Sequence, residues 1–98
     1  MSAIRVIRKN PGEHARVDII QNELKPLQDA VGGHLESVTL WDGAVALCDE
    51  EGRIKGLPHN CRIGLRSFVG PILIVGTHGE EFCSLNAHQI RDYLRELA

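Results

Sequence analysis

Residues 34–48 carry the clearest fold signal in the chain. Two strand-like apolar runs, 34–41 and 44–48, are separated by Asp42-Gly43. An Asp-Gly pair between two such runs favours a tight hairpin, because both residues accept the positive φ that the turn requires. An antiparallel pair of strands is therefore predicted at this point.

Three further segments are predicted to form strands. Residues 4–8 and 15–20 are joined by Asn10-Pro11-Gly12-Glu13, in which Pro second and Gly third suit a type II turn. Residues 69–75, with the sequence VGPILIV, form a continuous apolar run typical of a central strand.

Two segments change to the helical period. Leu24, Leu27 and Val31 are spaced by three and four residues, with Asn22 as the expected N-cap and the double glycine 32–33 as the stop. A second helix is expected to begin after Ser84 as N-cap. Its apolar face comprises Ala87, Ile90, Leu94 and Leu97.

The predicted fold is a single α+β domain over residues 1–98. It has a mostly antiparallel sheet of about five to six strands and two helices packed on one face, in the order ββαββ, an irregular segment, β, α. The residues predicted to be buried in the core are Leu27, Val31, Leu47, Ile72, Ile74, Ile90 and Leu94.

Length and charge restrict the function classes. A chain of 98 residues supports one small core. The formal net charge of −2 disfavours nucleic-acid binding, which depends on a basic surface. No window approaches the roughly 18 apolar residues of a membrane helix, so no membrane association and a cytoplasmic location are expected.

Cysteine and histidine spacing indicates neither a metal site nor a catalytic centre. Cys48, Cys61 and Cys83 are odd in number and lack C-x-x-C spacing, so reduced thiols are expected, with Cys48 as a small core residue. Paired ligand spacing typical of structural zinc is missing from the sequence. No cofactor and no metal are predicted, and an enzyme is disfavoured because no catalytic motif stands in its expected context.

The segment GLPHN, residues 56–60, is the main candidate for function. Leu57 and Pro58 can anchor and stiffen it, so that His59 and Asn60 are presented outward. Arg62 and Arg66 follow on the same segment and add guanidinium donors for a polar or phosphate-bearing ligand. An alternative remains open, in which Asn60 hydrogen-bonds nearby backbone and only holds the shape of the loop.

Several motifs together resemble a known family. These are LQDAVGG at 27–33, CDEEGRIKGLPHN at 48–60, and the pair VG at 75–76 with FCSL at 82–85. In order and spacing they resemble a family of small domains of unknown function, the one numbered 3846, from phage, plasmid and gut-bacterial genomes. That family usually has an aromatic residue at the position of His34 and often a second proline at the position of His59. If the aromatic residue stacks on a ligand, His34 is the corresponding ligand-binding candidate.

The resemblance implies a setting of mobile genetic elements and brings no catalytic residues. We therefore expect a small, non-catalytic phage-type protein that counteracts host defence by sequestering a nucleotide-derived signal, as a homo-oligomer. The alternatives are an interaction module or inhibitor that docks on a host protein, and an enzyme that degrades such a signal. The expected ligand-binding residues are His34, His59, Asn60, Arg62 and Arg66.

Overall fold

The computed structural model describes residues 2–98. These residues form eight short strands and two helices. In chain order they are β1 (Ala3–Lys9), β2 (Arg16–Gln21), α1 (Leu24–Val31), β3 (Leu35–Thr39), β4 (Ala44–Asp49), β5 (His59–Ile63), β6 (Arg66–Val69), β7 (Ile72–His78), β8 (Glu81–Cys83) and α2 (Ala87–Leu97).

Six strands form one antiparallel sheet. Its order is β2-β1-β7-β4-β3, and β8 pairs with the end of β7. Strands β5 and β6 form a separate antiparallel hairpin. The α+β class, the mostly antiparallel sheet and the two helices are confirmed.

The hairpin β5–β6 occupies the segment that the sequence predicts to be irregular. Only Ile63 and Phe68 of this hairpin are buried, while His59, Arg62 and Arg66 are exposed. Because so few of its positions are apolar, the alternation that marks a half-buried strand is too short to detect. The three-residue strand β8 was missed for the same reason.

The two helices lie on opposite faces of the sheet, so the expectation that both pack on one face is wrong. Along β7, Ile72 and Ile74 join a first core with the hairpin and α2, whereas Leu73 and Val75 join a second core with α1. A strand that is apolar at every position has two faces to bury, and each face needs its own cover.

The helix α1 buries Leu27 and Val31 as predicted. Its N-cap is Glu23 rather than Asn22, since the Asn22 amide instead donates to the carbonyl of Phe82 at 3.0 Å. The predicted stop at Gly32 is confirmed, because this residue has a φ of 86° and its N–H bonds to the Gln28 carbonyl.

The buried face of helix α2 differs from the predicted one. Gln89 and Tyr93 are buried, while Ile90 and Leu94 are only partly buried. The Tyr93 hydroxyl donates to the Trp41 carbonyl, and Gln89 Nε2 donates to the Asp42 carbonyl at 2.6 Å. These two polar side chains hold the β3–β4 loop, which explains why they face inward.

Asn86, and not Ser84, is the N-cap of α2. Its side chain accepts from the Gln89 N–H, and the Gln89 side chain accepts from the Asn86 N–H, which completes a capping box. Ser84 Oγ instead accepts from the backbone N–H of Arg5 at 2.9 Å, so this residue links β8 to β1.

Both predicted turns are confirmed. Gly12 has a φ of 75° and the Glu13 N–H bonds to the Asn10 carbonyl at 3.1 Å. Asp42 and Gly43 have φ values of 61° and 73°. Within residues 2–98, neither helix has the length and apolar character needed to cross a membrane.

Candidate functional site

A buried carboxylate organises the turn of residues 49–57, which we name the Asp49 turn. The Asp49 side chain is 2% exposed, accepts from Lys55 Nζ at 2.6 Å and accepts from the Glu51 N–H at 2.9 Å. The hydrogen bond from Lys55 outweighs desolvation and lowers the pKa of Asp49 below its ordinary value. The carboxylate is therefore held charged inside the fold.

The double glycine after α1 is part of the same arrangement. A Cβ placed on Gly33 would lie 2.6 Å from the Asp49 carboxylate, a distance that real Cβ atoms do not adopt. Lys55 Nζ also donates to the Gly32 carbonyl at 3.4 Å. The motifs at 27–33 and 48–60 are thus explained in large part by packing around Asp49.

Leu57 fastens the end of the Asp49 turn. Its N–H bonds to the Gly52 carbonyl, and a Cβ on Gly70 would lie 2.6 Å from Leu57 Cδ1. The Gly70 N–H also bonds to the Pro58 carbonyl at 2.8 Å. The start of β5 is therefore tied tightly to the end of β6, and Leu57 acts as the expected anchor.

The Asn60 side chain makes structural hydrogen bonds in this region. Its amide nitrogen donates to the Lys9 carbonyl at 2.8 Å and to the Gly70 carbonyl at 2.7 Å, which joins the hairpin to β1. Its Oδ1 is buried and has no hydrogen-bond partner within residues 2–98. These contacts favour the alternative in which Asn60 holds the loop, and a ligand-binding role for it stays a prediction.

The other candidate residues are separated from one another. His59 and Arg62 lie on the exposed side of β5, and His34 pairs with Glu50 at 3.4 Å across the start of the Asp49 turn. Arg66, at the start of β6, is the only one of the five that lines the cavity found among the described residues.

That cavity has a volume of about 260 Å³ and lies between β3, β4, the Asp49 turn and β6. Its walls contain basic, acidic and apolar residues. The basic residues are Arg53 and Arg66, the acidic residues include Glu36 and Glu50, and the apolar residues include Val38, Ile54 and Phe68.

Cys48 lies in the cavity wall between groups of opposite charge. Burial, together with the neighbouring Glu36, raises the pKa of its thiol to about 11, while Arg66 acts in the opposite direction. The thiol lies 3.8 Å from Glu36 Oε1. Glu36 and Arg66 therefore both act on Cys48, yet within residues 2–98 Arg66 makes no ion pair.

Sequence reasoning missed Glu36, Glu50 and Arg53 as cavity residues. Glu50 and Arg53 lie inside the quoted motif, so its charged positions were an available signal. No sequence signal indicated Glu36, because its place beside the cavity follows from its pairing with Cys48 in the β3–β4 register.

A second polar cluster lies on α2 and the β3–β4 loop. The ligand atoms of Asp42, His88 and Asp92 lie within 4.8 Å of one another, as a metal site would require. However, Arg91 Nη2 lies 2.8 Å from His88 Nδ1, and a guanidinium can only donate. His88 Nε2 faces Asp92 at 3.1 Å. These side chains are therefore already hydrogen-bonded to one another and form a surface network.

Comparison with known proteins places the chain in a family. The family model described as Domain of unknown function (DUF3846) matches residues 4–98. No curated protein and no solved structure matches the chain. Since the model spans nearly all of the sequence, the protein belongs to the DUF3846 family.

Proposed function

We propose that the protein is a non-catalytic binding protein that sequesters a small nucleotide-derived ligand in the cavity beside Cys48. The observation that carries the proposal is the position of Glu36 and Arg66. Both line the cavity together with Cys48, and among residues 2–98 they form no ion pair with each other. A ligand with an anionic end and a hydrogen-bond-donating end satisfies both.

Arg66 is the residue that receives the anionic end. A guanidinium without an ion-pair partner binds a phosphate group through paired, charge-assisted hydrogen bonds. Arg53 lies in the same wall, and its Nη2 donates to the Ser67 carbonyl at 2.8 Å, which positions its side chain. Two arginines of this kind favour phosphate over an uncharged ligand.

The remaining lining suits the rest of a nucleotide. The carboxylates of Glu36 and Glu50 accept hydrogen bonds from hydroxyl or amino groups, such as those of a ribose or a base. Phe68 and Ile54 provide apolar surface for a base ring. The volume of about 260 Å³ is below the roughly 300 to 1,000 Å³ of pockets that enclose drug-sized ligands, so it suits one nucleotide unit.

The state of Cys48 supports binding without catalysis. A thiol with a pKa of about 11 is deprotonated in about one molecule in ten thousand at pH 7, and the thiolate is the reactive form. The cysteine in the cavity wall is therefore a poor nucleophile. The mobile-element setting implied by the family resemblance suggests that the ligand is a host defence signal.

Ligand recovery tests the proposal. The purified protein is incubated with mononucleotides, cyclic nucleotides and ADP-ribose derivatives, and the bound fraction is released by heat and identified. Recovery of intact ligand supports sequestration, and recovery of altered ligand indicates catalysis. Failure to take up any member of the panel contradicts the proposal and favours a protein partner.

A matched pair of variants locates the site. Arg66→Gln should weaken capture at least tenfold, about 1.4 kcal/mol, because it removes the charge that receives the anion. Arg62→Gln on the paired strand is the control, since Arg62 is exposed but does not line the cavity. The reverse result would place the site on the exposed side of β5, as the sequence predicts.

Two exposed apolar side chains favour the second candidate function, docking on a host protein. Ile54 is 86% exposed at the cavity mouth and Leu65 is 89% exposed at the tip of the hairpin. Large apolar side chains that the fold leaves exposed can contact a protein partner. Under this alternative, Ile54→Asp or Leu65→Asp abolishes inhibition of the host target, and the nucleotide panel is not taken up.

A further inference from the structure

The strand β2 forms one edge of the main sheet and carries exposed apolar residues. Val17 is 43% exposed and Ile19 is 57% exposed, and both side chains lie on the same face because they alternate with Asp18. An edge strand with apolar side chains and free backbone groups is a template for pairing with another strand.

The hydrogen bonds around β2 show which backbone groups face this edge. The Ile19 N–H bonds to the side chain of Asp18 at 2.8 Å, so it is not used by β1. The Asn22 N–H bonds to the Ser2 carbonyl at 2.9 Å, on the β1 side. Because backbone groups alternate along a strand, Val17, Ile19 and Gln21 direct their N–H and C=O groups away from β1.

We propose that β2 pairs in antiparallel fashion with β2 of a second copy of this chain, across a two-fold axis at Val17. The charges of Arg16 and Asp18 favour this register over the neighbouring ones. An axis at Val17 places Arg16 opposite Asp18 of the second copy, and the same contact occurs twice. An axis at Asp18 would bring two aspartates together, and an axis at Ile19 would leave Asp18 opposite Ile20.

The proposed pairing also gives partners to the exposed apolar side chains, the outward backbone groups and the Asp18 carboxylate of β2. Val17 meets Val17 of the second copy, and Ile19 meets Ala15, which covers the exposed apolar face. The Ile19 N–H donates to the Ala15 carbonyl of the second copy and releases the Asp18 carboxylate. That carboxylate, now paired with Arg8 at 3.2 Å, gains a second cation in Arg16 of the second copy.

The dimer is independent of the proposed ligand site. β2 and β3 are at opposite edges of the main sheet, and Glu36 of the cavity is on β3. The pairing at β2 therefore leaves the cavity open in both copies. A protein that fails to dimerise can still capture ligand, and the reverse also holds.

Charge exchange tests the contact and its register. Wild-type protein should be a dimer in light scattering at high micromolar concentration. Arg16→Asp and Asp18→Arg should each be monomeric, because each places like charges opposite one another twice. An equimolar mixture of the two variants should form a heterodimer, since every Asp then lies opposite an Arg.

Each other outcome overturns the proposal. A monomeric wild type shows that the proposed dimer does not form. Single variants that remain dimeric show that β2 is not the interface. A mixture that stays monomeric shows that the proposed register is wrong. Melting curves of both variants show whether each is folded, since Asp18→Arg also breaks the pair with Arg8. If Asp18→Arg does not fold, Val17→Lys replaces it as the disrupting variant, and a dimeric Val17→Lys protein counts against the interface.

Discussion

Asn60 shows how a polar side chain in a candidate loop is used by the fold. Its amide bridges the carbonyl of Lys9, at the end of β1, and the carbonyl of Gly70, which directly follows β6. The sequence permits both a binding and a structural role for this residue, since an asparagine in a Pro-containing loop is typical of each. The distinction depends on where the side chain points, which is set by the register of β5 against β6.

Asn60→Ala should therefore destabilise the protein by about 1 to 3 kcal/mol, because two buried carbonyls lose their donor. Affinity per folded molecule should be unchanged. Urea unfolding measures the first and titration of the folded protein measures the second. An unchanged unfolding midpoint with at least tenfold weaker capture would restore Asn60 as a ligand-binding residue.

Asp49 predicts a specific acid sensitivity. Its pKa is lowered in the folded state, so the stabilisation is complete above the ordinary value of 3.8 and is lost as pH falls through the lowered pKa. Asp49→Asn should flatten the fall of unfolding free energy below about pH 4. The control is Asp29→Asn, which removes an exposed carboxylate paired with Lys25. Equal acid profiles for wild type and Asp49→Asn would show that the buried pair does not drive this sensitivity.

At the scale of elements, β7 determines the layered arrangement. It lies between β1 and β4, and its side chains fill the first core and the second core in alternation. The sequence identifies this strand from its apolar run and places Leu47, Ile72 and Ile74 in the core, as the structure confirms. It does not indicate the rotation of α2, because the buried Gln89 and Tyr93 bond to backbone carbonyls of a distant loop.

Ile74→Ala should cost about 2 to 5 kcal/mol of unfolding free energy, because a fully buried side chain is replaced by a cavity. Ile54→Ala is the matched control, since the same side chain at that position is 86% exposed. Urea unfolding of both variants makes the comparison. Similar losses, or no loss at Ile74, would contradict the assignment of β7 as the central strand.

At the scale of the whole molecule, the sequence predicts the class and most of the sheet but not the cavity. The strands that it identifies are long and apolar, or are joined by turns with distinctive glycines. The cavity depends on the hairpin β5–β6 lying against β3 and β4, which places residues 36, 53 and 66 in one wall. Such long-range contacts leave no periodic pattern, so only Arg66 of the cavity was found.

Metal removal tests whether the stability of the whole fold depends on a bound ion. The melting temperature should be unchanged by EDTA, because the cysteines and histidines lack the paired ligand spacing of a structural zinc site. Differential scanning fluorimetry with and without chelator is sufficient. Stoichiometric zinc in the purified protein, together with a lower melting temperature in EDTA, would contradict this expectation.

The Asp49 turn links the buried carboxylate to the wall of the cavity. Gly33, Asp49 and Lys55 close the turn around that carboxylate, and the same turn supplies Glu50, Arg53 and Ile54 to the cavity lining. A change at Gly33 or Lys55 that loosens the turn therefore also moves the wall, although neither residue lines the cavity. Substitutions at these two positions can alter ligand capture without removing any ligand contact.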